Sequence, residues 1–60
     1  MTDTQIRTAH EINHASFVVV AGQAFHVLTG VDHDGYFFAS DSYGEEIEFN
    51  VNNVDHVEVL

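Results

Sequence analysis

Turn signals divide most of this chain into short segments spaced by about ten residues. Three of the turns contain glycine, in the sequences Ala21-Gly22-Gln23, Asp32-His33-Asp34-Gly35 and Asp41-Ser42-Tyr43-Gly44. Glycine adopts a positive φ without strain, and aspartate side chains accept hydrogen bonds from the backbone that follows them. Residues 52–55 predict a further tight turn or a single 3₁₀ turn. The segments between these turns have the length of strands rather than of helices.

The same segments carry the residue pattern of half-buried strands. They are residues 17–20, 25–31, 36–40 and 45–51, and the residues around Val57 and Val59. The fourth is the clearest, because Ile47, Phe49 and Val51 alternate with the polar residues Glu46, Glu48 and Asn50. We therefore predict one all-β domain over residues 1–60, built as a five- or six-stranded small barrel or as a curled antiparallel meander.

Residues 3–15 are open to two interpretations. As a helix, the segment would place its apolar residues at steps of three, and such a stripe drifts around the helix axis. As a strand, Ile6, Thr8, His10 and Ile12 would share one face. We favour the strand and keep a short N-terminal helix as the alternative.

The order of strands and turns from residue 25 to residue 60 resembles that of an SH3-like small barrel of the KOW or Tudor kind. The matching stretch reads FHVLTGVDHDGYFFASDSYGEEIEFNVNNVDHVEVL. The resemblance implies a small five-stranded barrel and transfers no site residues. The charge departs from it, since members of such families that bind nucleic acid are usually basic.

Charge narrows the range of partners. The chain has ten carboxylates and a single cationic side chain, Arg7, for a formal net charge of −9. Nucleic acids and anionic membranes both select for Lys and Arg, so we expect neither to bind directly. Without cysteine, neither a disulfide nor a thiolate metal site can form. The N-terminus has no signal-peptide pattern and no segment has the length of a membrane span, so we expect a cytoplasmic location.

The acidic and aromatic residues near the C-terminus form the candidate binding set. Phe37 and Phe38 are consecutive, so on a strand they point to opposite faces, and one of them is expected to join the core. If the last strands pair, Asp55 and Glu58 should lie near the carboxylates of residues 41–48. We predict that the contact residues are Asp41, Tyr43, Glu45, Glu46, Glu48, Glu58 and Phe37.

We predict a non-enzymatic module that binds a basic surface on another protein. A nucleic-acid-binding partner is favoured, and binding would either inhibit or recruit it. In size and charge the chain resembles phage-encoded acidic inhibitors that mimic DNA. The acidity could instead serve solubility or adaptation to high salt, or it could belong to an acidic structural domain that forms a homodimer through an open strand edge.

Residues His10-Glu11-Ile12-Asn13-His14 match the H-E-x-x-H motif of the zincin metalloproteases. The resemblance implies zinc ligands at His10 and His14 and a general base at Glu11. Only a helix brings the two histidines together, since on a strand they would be about 13 Å apart. A small zinc-binding protein is therefore the alternative function, and we favour a fortuitous match. For the partial calcium-loop pattern at residues 32–35, a simple hairpin turn is the favoured interpretation.

Overall fold

One helix precedes five strands in the computed structural model, which describes residues 2–58 of the chain. Helix α1 spans Asp3–Asn13. The strands are β1 (Phe17–Val20), β2 (Gln23–Val27), β3 (Tyr36–Ser40), β4 (Glu46–Asn50) and β5 (His56–Glu58), with a 3₁₀ helix (Val51–Asn53) between the last two.

The strands form a single antiparallel sheet in the order β4-β3-β2-β1-β5. Strands β1 to β4 follow one another as a meander, and the 3₁₀ helix then returns the chain so that β5 pairs with β1. Over residues 2–58, β4 and β5 are the two edges, and the sheet does not close into a barrel. The predicted fold class is confirmed: of the two predicted architectures, the structure has the curled antiparallel meander.

The N-terminal segment forms helix α1, so the strand that we favoured there is wrong. Two hydrogen bonds stabilise the start of this helix. The Gln5 backbone N–H donates to the Thr2 hydroxyl at 3.2 Å, and the Thr2 backbone N–H donates to the Gln5 side chain at 2.7 Å. This reciprocal pair is a capping box, which satisfies backbone donors that the first helical turn leaves without partners. Gln5 also donates to the Asn52 side chain at 3.0 Å and thereby joins the helix start to the 3₁₀ helix.

Two of the predicted strands, β1 and β3, have the expected bounds, and β4 is one residue shorter at each end. Strand β2 is displaced: it begins at Gln23 and ends at Val27. Beyond that point, the N–H groups of Leu28 and Thr29 both donate to the Phe38 carbonyl, at 2.9 and 3.3 Å, so regular pairing stops. Val59 lies outside the described residues.

The buried side chains of residues 2–58 all converge on one face of the sheet, which we call the inner face. Helix α1 covers this face with Ile12, which is fully buried, and with Ala9. Within the sheet the cross-strand pairs Val18–Phe25 and Phe37–Phe49 point the same way. The core consists of Ala9, Ile12, Val18, Phe25, Phe37, Ala39 and Val51, with Val20, Val27, Val31, Ile47, Phe49, Val54 and Val57 packed around it.

Within the described part of the chain, no helix covers the opposite face of the sheet, which we call the outer face. Because side chains alternate along each strand, it carries the residues between the core positions, including Tyr36, Phe38, Glu46 and Glu48. Within residues 2–58 no helix combines the length and the apolar character needed to cross a membrane.

The two isoleucines of α1 allow a direct test of how the helix packs. Ile12 is 0% exposed and Ile6 is 53% exposed. We expect Ile12→Ala to lower the free energy of unfolding by about 2–5 kcal/mol and Ile6→Ala by less than about 1 kcal/mol. Urea denaturation followed by circular dichroism measures both values. Should Ile12→Ala fail to fold, Ile12→Val, with an expected cost of about 0.5–1.5 kcal/mol, replaces it. Equal costs at the two positions would contradict the helix and support a strand on which both side chains share a face.

Candidate functional site

The β3–β4 hairpin displays two aromatic side chains beside two carboxylates on the outer face. Tyr36 and Phe38 of β3 are 43% and 41% exposed. Phe38 lies directly across from Glu48 of β4, and Ser40 lies across from Glu46. Side chains that face each other across an antiparallel pair are in contact range, so Glu48 borders the ring of Phe38, and Glu46 lies two residues further along the same face.

Phe37 is not part of this surface, and its place in the predicted contact set has to be corrected. It is 1% exposed, and its ring centroid lies 6.0 Å from that of Phe49 in the core. Strand alternation puts it on the same face as the buried Ala39. The exposed member of the consecutive phenylalanine pair is therefore Phe38.

A tight turn places Tyr43 at the tip of the hairpin. One oxygen of the Asp41 carboxylate accepts hydrogen bonds from the backbone N–H groups of Tyr43 and Glu45, at 2.8 and 2.9 Å. Gly44 completes the turn with a φ of 82°, which glycine adopts without strain. As a result the Tyr43 side chain projects from the turn at 93% exposure. Asp41 was predicted to contact a partner, and the structure shows that its carboxylate already holds the turn.

Within residues 2–58 no cationic side chain forms a salt bridge with the carboxylates of this hairpin. Among the described residues, the salt-bridge contacts are His33–Asp34 at 3.5 Å and His56–Glu58 at 3.4 Å, and neither includes the hairpin. Glu45, Glu46 and Glu48 are all exposed. We define the hairpin surface by the exposed aromatic and acidic side chains that the hairpin brings together, namely Tyr36, Phe38, Tyr43, Glu45, Glu46 and Glu48.

We predicted that Glu58 and Asp55 lie near the hairpin surface, but the structure places both residues elsewhere. Strand β5 pairs with β1, so Glu58 lies at the opposite edge of the sheet from β4. The two edges are separated by four strand spacings of about 4.8 Å along the sheet. Asp55 accepts a hydrogen bond from the Gly22 backbone N–H at 3.4 Å, beside the β1–β2 turn. The expectation failed because it required β4 and β5 to pair with each other.

Asp32 organises the turn before β3 in the way that Asp41 organises the next one. Its carboxylate accepts from the backbone N–H groups of Tyr36 and Asp34, both at 2.9 Å. The hydrogen bond from the Tyr36 backbone N–H is the main reason why the pKa of Asp32 lies below its ordinary value of 3.8. The hairpin-turn interpretation of residues 32–35 accounts for these contacts.

The helix does bring the two histidines of the H-E-x-x-H motif together. The ring centroids of His10 and His14 are 4.7 Å apart, and the rings meet edge to face. Both side chains are exposed. Within residues 2–58 no set of three or more metal-ligating side chains forms, so no third protein ligand joins this pair.

No pocket is found in the part of the chain that the structure describes. Comparisons with protein-family models, with curated proteins and with solved structures give no match to this chain. The features that indicate a function are the geometry and the charge of the hairpin surface.

The lowered pKa of Asp32 predicts a pH dependence of stability. Because its pKa is lower in the folded state, its contribution is fully present above about pH 4 and is lost as the pH falls through the folded pKa. Asn at this position keeps an oxygen acceptor but does not titrate, so Asp32→Asn should lose less stability on acidification than the wild type does. Thermal unfolding between about pH 6 and pH 2 measures the two slopes.

Glu11→Gln is the control for this measurement, because it removes the same charge from an exposed position on α1. It should keep the wild-type slope. Parallel pH profiles for wild type and Asp32→Asn would show that the turn carboxylate contributes nothing to acid sensitivity.

Proposed function

We propose that this protein is a non-enzymatic interaction module that docks its hairpin surface on a basic groove of another protein. The observation that carries the proposal is the exposed Phe38 directly across from Glu48, beside further carboxylates that have no salt-bridge partner within residues 2–58. Phe38 is 41% exposed, and an apolar side chain that is exposed beside charge is typical of a binding surface.

The two kinds of side chain have different roles in the proposed complex. Phe38 and Tyr43 supply the area that is removed from water at the centre of the contact. Glu45, Glu46 and Glu48 accept charge-assisted hydrogen bonds from Arg or Lys of the partner and accelerate its approach. The whole chain has a formal net charge of −9, and this overall negative charge also favours a cationic partner.

A nucleic-acid-binding protein is the favoured partner. Glu46 and Glu48 are two residues apart on one face, so their backbone positions are separated by about 6.8 Å, a distance similar to that between neighbouring phosphates of one DNA strand. Carboxylates with this spacing can occupy a groove that normally receives phosphates, and the module would then inhibit or recruit its partner. This is the mode of a phage-type DNA mimic. The proposal includes a cytoplasmic location and a relationship of the meander to SH3-like small barrels.

Solubility alone explains the hairpin surface less well. Charge that serves only solubility can lie anywhere on the surface, and it gives no reason to expose Tyr36, Phe38 and Tyr43 among the carboxylates. The combination favours docking.

A pull-down from cell lysate with two variants of equal net charge tests the proposal. In the first, Glu45, Glu46 and Glu48 are replaced by Gln. In the second, the same number of charges is removed elsewhere by Glu11→Gln, Asp34→Asn and Glu58→Gln. We expect the wild type to capture a dominant basic partner that is released between about 0.1 and 1 M salt, where screening shortens from ~10 to ~3 Å.

The hairpin variant should lose that partner, and the control variant should retain it. Equal losses in the two variants would contradict a localised docking surface, because only total charge would then matter. If the wild type, the hairpin variant and the control variant all captured many basic proteins at low salt, this would also show that only total charge matters.

The aromatic part of the proposal has its own prediction. We expect Phe38→Ala and Tyr43→Ala each to weaken binding to the captured partner by about tenfold or more, which corresponds to about 1.4 kcal/mol. Tyr43 is 93% exposed, so Tyr43→Ala should change unfolding in urea little, whereas Phe38 is 41% exposed, and urea unfolding of Phe38→Ala has to show that the variant is folded before its affinity is compared. Titration calorimetry with the purified partner measures the affinities. Unchanged affinity in both variants would show that the partner contacts the carboxylates alone.

A further inference from the structure

Two histidines lie at the C-terminal end of α1, His10 in its last turn and His14 at the cap position that follows it, at a separation that suits a shared metal ion. His10 and His14 are one helical turn apart, and their ring centroids lie 4.7 Å from each other. A Zn–N bond of about 2.0–2.1 Å places each ring centre about 3.1 Å from the ion, so N–Zn–N angles between about 90° and 109° separate two ring centres by roughly 4.4–5.1 Å. The observed centroid separation lies within this range, and because the rings meet edge to face, one imidazole has to turn about its side-chain bonds before both ring nitrogens point at one ion.

We propose that His10 and His14 form a two-histidine site for a divalent transition-metal ion of the Zn²⁺ type. Imidazole nitrogen is a preferred ligand of Zn²⁺, Ni²⁺ and Cu²⁺, whereas Mg²⁺ and Ca²⁺ select oxygen ligands. Both histidines are exposed, so water has access to the remaining coordination positions. The site takes one ion per chain.

The position of the pair in the fold gives the ion a structural effect. Between the two histidines lies Ile12, which is fully buried in the core. Next to it, the Asn13 side chain accepts a hydrogen bond from the Val31 backbone N–H at 2.8 Å and ties the helix to the loop before β3. An ion that bridges His10 and His14 closes the same helical turn and therefore stabilises α1 on the sheet.

The inference concerns binding and stability and does not extend to hydrolysis. A catalytic zinc uses three protein ligands, and within the described residues no third one accompanies this pair. The site is on α1, away from the hairpin surface, so it stands or falls independently of the proposed docking function.

Zinc titration of the untagged protein, freed of metal by EDTA and dialysed at pH 7.5, tests the site. Calorimetry should give one Zn²⁺ per chain. Because the ion binds the folded helix, a free Zn²⁺ concentration of one hundred times Kd should lower the unfolding equilibrium constant about 100-fold, and the melting temperature should rise accordingly.

Three variants and a second ion make the test specific. His10→Gln and His14→Gln should each weaken Zn²⁺ binding by about tenfold or more, because the second ligand no longer binds intramolecularly. His33→Gln removes an exposed histidine outside the pair and should keep wild-type binding. Mg²⁺ at the same concentration should stabilise the protein far less than Zn²⁺ does.

Several results would overturn the proposal. An equal stabilisation by Mg²⁺ would mean that the cations only screen the acidic surface. Equal Zn²⁺ affinity in the wild type and in both pair variants would place the ion elsewhere. One ion per two chains, with a dimer in sedimentation, would show that a second copy rather than water completes the coordination.

Discussion

The packing of Ile12 against the inner face of the sheet is the interaction on which the rest of this small structure depends. A chain of this length buries only about 60% of its unfolded surface, and without cysteine it has no disulfide to compensate. The inner face of the sheet therefore needs a cover, and α1 is the only helix longer than one turn within residues 2–58. The capping box at Thr2 and Gln5 sets where this helix begins, and the bonds from Gln5 to Asn52 and from Val31 to Asn13 hold its two ends.

A single helix covers a single face, and this limit explains the surface that we assign to docking. The outer face receives every residue that alternates with the core positions, and on β3 these include Tyr36 and Phe38. Across from Phe38 on β4 lies Glu48, whereas Asn50 lies across from Tyr36, so Phe38 is exposed directly next to negative charge. Edge carboxylates have a second effect, since charge on an edge strand opposes pairing with another chain. One arrangement of residues thus favours a cationic partner and disfavours addition of strands to the β4 edge.

Local patterns in the sequence predicted the strands and turns. The features that the sequence did not predict depend mostly on contacts between residues far apart in the chain. The alternation in residues 45–51 and the Asp-x-x-Gly turns act over a few residues, and the structure has them as expected. The helix was missed although its signal is local, because the spacing Thr2-x-x-Gln5 was not recognised as a capping box. The choice between Phe37 and Phe38 depends on which face α1 covers, and the location of Glu58 depends on β5 pairing with β1. Neither the exposed phenylalanine nor the location of Glu58 can be predicted from neighbouring residues. The resemblance to SH3-like small barrels stays a prediction.

The most direct test of the account is to map where a cationic ligand binds. An arginine-rich peptide would be titrated into ¹⁵N-labelled protein, and the shifts of the backbone amides would be followed by NMR. We predict that the largest and saturable shifts lie on the hairpin surface, at Tyr36, Phe38, Tyr43, Glu45, Glu46 and Glu48, with small shifts at Glu11, Asp34 and Glu58. Shifts of equal size at all acidic positions, without saturation, would contradict the account, because the peptide would then respond to the net charge and not to a surface that the fold has built.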